Sequence, residues 1–231
     1  VRAGVSETLP LTGERTAPGI PSENYWFRRH VAAYRYAARV AGGRVVDAGC
    51  GEGYGAAILA RNARRVLALD LDHPTLRHAR RRYPAPSFVR SDLLRMPLDR
   101  SSVDSIVALQ VIEHLADAEA FVQACARLLR PGGVLILSTP NRVTFPAGLN
   151  PFHIREFDAT ELGDLLARSF SEVRLRGVVH GPTLRFIDRL VGEPIQHLLI
   201  DTAYADLPPG LRASLRLVTS DSFRVSPHPE S

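Results

Sequence analysis

Apolar and polar positions along this chain change rhythm at regular intervals. Short runs rich in Val, Leu, Ile and Ala recur at Val45-Val46, Val66 to Leu69, Phe88-Val89, Val103 to Leu109 and Val134 to Leu137. Runs of this kind, bounded by Gly, Pro, Asp or Ser, predict strands. Between them the apolar positions fall three or four apart. From Glu23 to Ala41, Phe27, Val31, Tyr34 and Ala38 share one face. That predicts a helix with Ser22 as its cap and Gly42-Gly43 as its stop. Further helices are predicted after the glycines at 49–55, over Pro74 to Tyr83 behind an Asp72 cap, and from Asp117 to Leu129, where Pro131-Gly132-Gly133 ends the pattern.

Downstream, Val134 to Ser138 reads as a strand buried on both faces by its composition. A long loop from Asn141 to Phe157 follows, and a loop of that length in a compact domain is usually functional. Asp158 and Glu161 have capping-box spacing for the next helix. Val173 to His180 reads as a strand. Gly181 to Ala205 reads as helical with breaks at Gly192 and Pro194, like an inserted cap.

Strands that alternate with helices predict an α/β fold, a Rossmann-like doubly wound and mainly parallel sheet. The expected layout is an N-terminal arm and lid helix over 1–43, a ligand-binding core over 44–180, and a helical cap insertion with a C-terminal segment over 181–231. The unusual residues fall at strand C-terminal ends, where such sheets bind their ligands.

Composition adds limits. At 231 residues with 45% hydrophobic residues, the chain is long enough for one domain with a real core. No run approaches a membrane span and no signal peptide is evident, so a cytoplasmic protein is expected. Cys50 and Cys125 show no metal-ligand spacing and no disulfide is expected. The net charge is +5 and every basic side chain other than histidine is arginine. The Arg80-Arg81-Arg82 cluster lies on a predicted helix without interleaved aromatics. It reads as a solvated face rather than a nucleic-acid surface.

The densest chemistry lies in Val45-Val46-Asp47-Ala48-Gly49-Cys50-Gly51-Glu52-Gly53-Tyr54-Gly55. Strand, glycine-rich turn and helix let a ligand lie against bare backbone. Gly51, Gly53 and Ala56 match a dinucleotide fingerprint literally. Asp47 speaks against that reading, because a carboxylate repels a pyrophosphate and suits a cationic ligand. S-adenosylmethionine carries a sulfonium and an α-ammonium and no phosphate. Asp70 ends the second strand about 20 residues further on, the offset at which an acid takes ribose hydroxyls. Leu71 would lie near an adenine. Asp92, after the third strand, could meet the adenine amino group or could simply form a turn. Tyr25, Trp26 and Arg29, in the first turns of the N-terminal helix, either anchor that helix or close over a cofactor.

Taken together, Val46 to Gly53, Asp70, Ser91-Asp92-Leu93 and Pro131-Gly132-Gly133 resemble the class I S-adenosylmethionine-dependent methyltransferases over residues 45–180. The resemblance implies that Asp47 and Gly49 line the methionine part of the cofactor and that Gly51 and Gly53 also bind the cofactor. It also implies that Asp70 takes the ribose, that Asp92 takes the adenine, and that Gln110 lies beside the cofactor, with Leu71 and Leu93 as further cofactor contacts. A closer resemblance runs through Leu11 to Thr16, Glu23 to His30, Gly49 to Gly55, Gln110 to Leu115, Ser138 to Arg142 and Asn150 to His153. These segments are similar to the mycobacterial methylmannose polysaccharide 1-O-methyltransferase type. That type methylates the reducing-end hydroxyl of short 3-O-methylated mannosides. It implies a small carbohydrate acceptor, no nucleic acid and no membrane span, with homodimerisation left open. Relatives carry a further apolar strand near the C-terminus. Here that strand is expected to be weak or missing, with Leu215-Arg216-Leu217-Val218 as its one late candidate.

A sugar hydroxyl is a poor nucleophile and needs a base or a divalent cation. Glu113 and His114 follow the fourth strand. The related quinone-biosynthesis O-methyltransferases show Glu-x-x-Glu-His there as a metal site, whereas this chain has Gln110-x-x-Glu113-His114. The expectation is a weaker Mg²⁺ site at Glu113 and His114, with His153 as base or acceptor contact and His180 as a lesser candidate. Rival readings are an O-methyltransferase of a quinone or natural product, a nicotinamide oxidoreductase, a non-catalytic module, and a nucleic-acid methyltransferase. The last lacks the Asn/Asp-Pro-Pro-aromatic turn of amino-group methylases.

Overall fold

The structure, a computed structural model, describes residues 9, 16–144, 150–191, 195 and 206–227. The strands of the main sheet are β1 (Arg44–Ala48), β2 (Arg65–Asp70), β3 (Ser87–Arg90), β4 (Val103–Leu109) and β5 (Leu129–Ser138). They run in the order β3-β2-β1-β4-β5 and every pairing is parallel. Helices α1 (Asn24–Val40), α2 (Tyr54–Leu59), α3 (His73–Arg82), α4 (Ala118–Leu128) and α5 (Ala159–Ala167) flank it. This is the expected doubly wound α/β sheet. Strand order reverses beside β1, so the crevice opens at the end of the glycine-rich turn.

Alternation along the strands explains the two-sided core. Val45 and Val107 pack with Phe27, Val31 and Tyr34 of α1 and Leu59 of α2. Val46 and Ala108 turn to the other face and meet Phe121, Val122 and Cys125 of α4. Side chains of adjacent strand residues point to opposite faces, so one short apolar run serves two layers. Cys50 and Cys125 are both free and buried.

Three expectations need correction. Ser22 does not cap α1: it lies in a 3₁₀ turn over Pro21–Glu23, and Glu23 precedes the helix without a side-chain cap. β5 begins at Leu129 and is not buried on both faces, because it is the edge of the five-stranded sheet and Val134 is exposed. A late strand is present, but at β7 (Phe223–Ser226) rather than at Leu215–Val218. It pairs antiparallel with β6 (Gly177–His180) in a separate two-stranded ribbon. Leu215 lies buried in the last turn of helix α7 (Pro209–Arg216).

The cap region contributes α6 (Pro182–Val191) and α7. Leu184, Ile195, Leu207, Leu215, Val218 and Phe223 close on Tyr25 and Ala32 of α1. The first helix is thereby bound to the last strand. Among the described residues no helix is long and apolar enough to cross a membrane. Of the motif at 11–16, only Thr16 lies within the described residues.

Candidate functional site

The glycine-rich turn leaves β1 through residues of positive φ: Gly49 (78°), Gly51 (48°) and Gly53 (82°). The three glycines serve different ends. A Cβ at Gly49 would meet Val111 Cγ2 at 2.5 Å, so this glycine lets the turn press on the end of β4. A Cβ at Gly53 would meet Ala79 and Phe88, so its bareness lets the start of α2 pack on α3 and β3. Gly53 does not line the crevice. Among the described residues, a Cβ at Gly51 would meet nothing within 4 Å. Gly51 therefore borders open space, which is where a ligand could lie against backbone.

Asp47 is fully buried beneath this turn rather than on the crevice wall. Its Oδ1 accepts a hydrogen bond from the Tyr34 hydroxyl at 3.0 Å, and its Oδ2 is buried without a partner. Burial pushes its carboxyl up to about 7, against the opposing pull of the Tyr34 hydrogen bond. Such a group is poised to ionise when a cation arrives. Asp70 presents Oδ2 to Gly51 N at 2.8 Å and Oδ1 to Asp72 N at 2.9 Å. It ties the turn to the end of β2, while Leu71 beside it is exposed. Asp92 is exposed and its Oδ1 accepts from Leu94 N at 2.9 Å, the turn-forming alternative. Leu93 is largely buried in the core at the crevice wall.

The N-terminal helix divides its residues. Trp26 and Arg29 line the crevice; Tyr25 does not. Tyr25 is buried under the cap, its hydroxyl 2.5 Å from His180 Nε2, and His180 Nδ1 lies 2.6 Å from Asp188 Oδ2. The anchoring alternative therefore describes Tyr25, and the same hydrogen bonds occupy both nitrogens of His180. Arg29 donates to Val178 O at 3.0 Å while its Nε is buried without a partner. Three residues given no site role from sequence also gather here. His30 Nδ1 is 2.6 Å from the Tyr54 hydroxyl, which is 2.9 Å from Thr16 Oγ1. Burial pulls the His30 imidazole down to about 4, so it stays neutral. In sequence Tyr34 stood out only as a helix-face residue, Tyr54 only as part of the glycine-rich stretch, and His30 only as the end of the segment Glu23 to His30.

The end of β4 meets the long loop. Gln110 has φ 58°, a left-handed conformation that costs a non-glycine residue about 1–3 kcal/mol. Its amide donates to Ser138 Oγ at 3.1 Å. Residues held this way often mark functional sites. A 3₁₀ turn over Ile112–His114 follows. The carbonyl of Glu113 accepts from Ile154 N (2.8 Å) and Arg155 N (3.2 Å), which docks the loop on it. The Glu113 carboxyl is fully buried, and among the described residues neither oxygen makes a hydrogen bond of good geometry, although the Thr139 hydroxyl and the amides of Val111 and Glu113 lie near it. Burial pushes it up to about 7.

His114 Nδ1 lies 2.9 Å from Phe152 O and His153 Nδ1 lies 2.8 Å from Glu156 Oε1. Both acceptors are oxygens without a proton to give, so both rings carry their proton on Nδ1 and their lone pair on Nε2. The two rings are edge-on, with centroids 4.9 Å apart. One ligand atom from each of Glu113, His114 and His153 falls within 4.8 Å of the others. The structure thus joins two histidines expected to play separate parts, 39 residues apart in the chain. Buried carboxylate oxygens without partners fit a cation there. The donor set is two imidazoles and one carboxylate, which suits Mn²⁺, Zn²⁺ or a similar ion better than the all-oxygen preference of Mg²⁺.

Apart from Asp47, Gly53 and Tyr25, the candidate residues border one open cleft of about 2440 Å³ that runs from the glycine-rich turn past Gln110 to the loop at Asn150–His153 and on along the edge of β5. Gly49 touching Val111 sets the two ends side by side.

Residues 46–137 match the family described as a methyltransferase domain. A protein named a probable S-adenosylmethionine-dependent methyltransferase, from Mycolicibacterium smegmatis, is 49% identical over 230 residues, 96% of this chain and 90% of that protein. A ubiquinone biosynthesis O-methyltransferase from Xanthomonas oryzae is 38% identical over 109 residues, 45% of each chain. Among solved structures, a SAM-dependent methyltransferase from Thermotoga maritima is 24% identical with a TM-score of 0.57, covering 68% of this chain and 80% of that one. This last likeness concerns the fold alone.

Proposed function

Because this chain belongs to the family of S-adenosylmethionine-dependent methyltransferases, we propose that it methylates the hydroxyl oxygen of a small carbohydrate. The expected acceptor is the reducing-end 1-hydroxyl of a short 3-O-methylated mannoside. The observation that carries the reading is the convergence of Glu113, His114 and His153 beside the glycine-rich turn. A hydroxyl is the acceptor that needs such a cluster. The sugar itself rests on the resemblance of the segments around Glu23–His30 and Asn150–His153.

The residues divide the work. Asp47 beneath the turn favours the positive sulfonium and ammonium, and bare backbone at Gly51 leaves room for the methionine chain. Asp70 faces the ribose and Leu71 the adenine; Asp92 and Leu93 flank the base. Trp26 and Arg29 border the acceptor side, where the arginine suits a carboxylate or a hydroxyl oxygen. Gln110 holds the crevice open at the strand end. Transfer is an in-line displacement at carbon, so holding oxygen, methyl and sulfur on one axis supplies much of the rate. His153 Nε2 takes the hydroxyl proton when no ion is bound. When a divalent ion is held by Glu113, His114 and His153, it supplies acidity to the acceptor hydroxyl.

Mg²⁺ is the ion expected from sequence; the imidazole-rich donor set favours Mn²⁺ or Zn²⁺. A second reading, methylation of another small-molecule hydroxyl such as a quinone precursor, is favoured by the relative named for ubiquinone biosynthesis. The test is incubation with S-adenosylmethionine and a panel of mannosides, glucosides and phenols, with the new methyl group located by NMR. A methyl on a mannoside 1-oxygen is expected, and methylation of phenols alone overturns the sugar assignment. Repeating the reaction in chelator, then restoring Mg²⁺, Mn²⁺ or Zn²⁺, reads the ion. Full turnover in chelator removes the ion and leaves His153 as base.

A further inference from the structure

The acidic residue that completes this site is one to which no role has yet been given. Glu156 lies three residues after His153, and both side chains are almost wholly enclosed, 7% and 9% exposed. Glu156 Oε1 accepts from His153 Nδ1 at 2.8 Å, and its Oε2 is buried without a partner. A buried carboxylate is stable only when paired. Among the described residues, the His153 ring is its one side-chain hydrogen-bond partner.

The backbone on both sides is held firmly. His153 N bonds to Asn150 O, Phe152 N bonds to Asn150 Oδ1, and Ile154 N and Arg155 N share the Glu113 carbonyl. Beyond Glu156, Arg142 N bonds to Phe157 O. The histidine and the carboxylate are thus fixed relative to each other and to Glu113.

From this geometry we infer that Glu156 is a positioning residue for His153, fixing its tautomer and its ring direction. The inference rests on the reading of His153 as an acceptor-end group. An ionised carboxylate accepts and cannot donate. It therefore puts the imidazole proton on Nδ1 and leaves the lone pair on Nε2, in a ring that has one nitrogen within 4.8 Å of a ligand atom of Glu113 and of His114. That orientation serves either task of His153, taking a hydroxyl proton or binding an ion, because both use the Nε2 lone pair. A histidine whose other nitrogen is held by a carboxylate is a more basic and better directed ligand. Without Glu156 the ring is free to adopt the Nε2–H tautomer, which can do neither.

The test uses protein labelled with ¹⁵N in its histidines and a long-range ¹H–¹⁵N spectrum of the neutral rings. The His153 signal is identified by its loss in His153→Gln. The wild-type ring is expected as the Nδ1–H tautomer. Glu156→Leu removes the acceptor, and the Nε2–H form should appear, with turnover reduced about 10–100-fold and cofactor affinity unchanged. Glu156→Gln keeps an acceptor oxygen and should restore both the tautomer and most of the turnover. Should Glu156→Leu not fold, as judged by circular dichroism, the wild-type and Glu156→Gln spectra decide. A wild-type His153 in the Nε2–H form, or a Glu156→Leu ring that keeps Nδ1–H, overturns the inference. The tautomer is read without any acceptor. Failure of the sugar assignment thus shows in the acceptor panel, and failure of the Glu156 role shows in the spectrum.

Discussion

Asp47 is the residue whose surroundings make the sharpest demand. Burial pushes its carboxyl up to about 7, and among the described residues Tyr34 alone donates to it. A ligand that brings a sulfonium and an ammonium favours the ionised form. Below pH 7 the proton must leave before the cation gains its partner, and each pH unit costs about 1.4 kcal/mol, or tenfold in affinity. S-adenosylmethionine affinity should therefore rise about tenfold per unit up to about pH 7 and level off above it. Calorimetric titration across that range reads the midpoint. Tyr34→Phe removes the hydrogen bond that lowers the pKa, so its midpoint should move upward. Asp47→Asn should bind weakly at every pH with a flat profile. A wild-type profile as flat as that of Asp47→Asn would show that Asp47 does not sense the cofactor.

Elements carry the next level of explanation, and the contact between α1 and α2 shows how tightly they are set. A Cβ on Gly55 would lie 2.0 Å from the Tyr34 ring, so α2 can approach α1 only through glycine. Gly55→Ala should push Tyr34 off Asp47 and cost about 1–3 kcal/mol, a fall in melting temperature of about 2–4 °C per kcal/mol for a chain of this size. Gly51→Ala makes the contrasting case. Its Cβ enters open space, so the loss should fall mainly on cofactor affinity, beyond about 1–2 kcal/mol of left-handed backbone strain. Equal melting and equal affinity for the two variants would contradict this division.

The same elements show what could be read from sequence. β4 at Val103–Leu109 and the capping box of Asp158 and Glu161 were plain, because alternation and capping are local. β5 was misjudged because an apolar run looks alike in the middle and at the edge of a sheet. β7 was missed because Phe-Arg-Val-Ser is short and half polar, and its partner Gly177–His180 lies more than 40 residues earlier. The burial of Tyr25 depends on His180 and Phe223, which local pattern cannot bring together. Glu113, His114 and His153 each stood out. Their meeting, and the part of Glu156, depended on how the long loop folds back onto the Glu113 carbonyl.

At the scale of the molecule, the decisive link is the third hydrophobic cluster, which binds the first helix to the last strand. Phe223 is 5% exposed and its ring meets both Tyr25 and His180 edge-on. Asn24 adds hydrogen bonds to the carbonyls of Leu215 and Val218. The main sheet has its own two clusters and does not depend on Phe223. Phe223→Ala should therefore remove about 3–5 kcal/mol from the cap and the start of α1 while leaving the sheet cooperative. Hydrogen exchange should quicken in the first turns of α1, in β6 and in α6, and the amides of β1 and β4 should keep their protection, since local units open independently. Trp26 and Arg29 sit on that loosened stretch and border the cleft, so acceptor KM should rise more than cofactor affinity falls. Exchange that quickens equally in β1 and β4 would mean that cap and sheet unfold as one unit. In that case the start of α1 cannot open independently of the sheet.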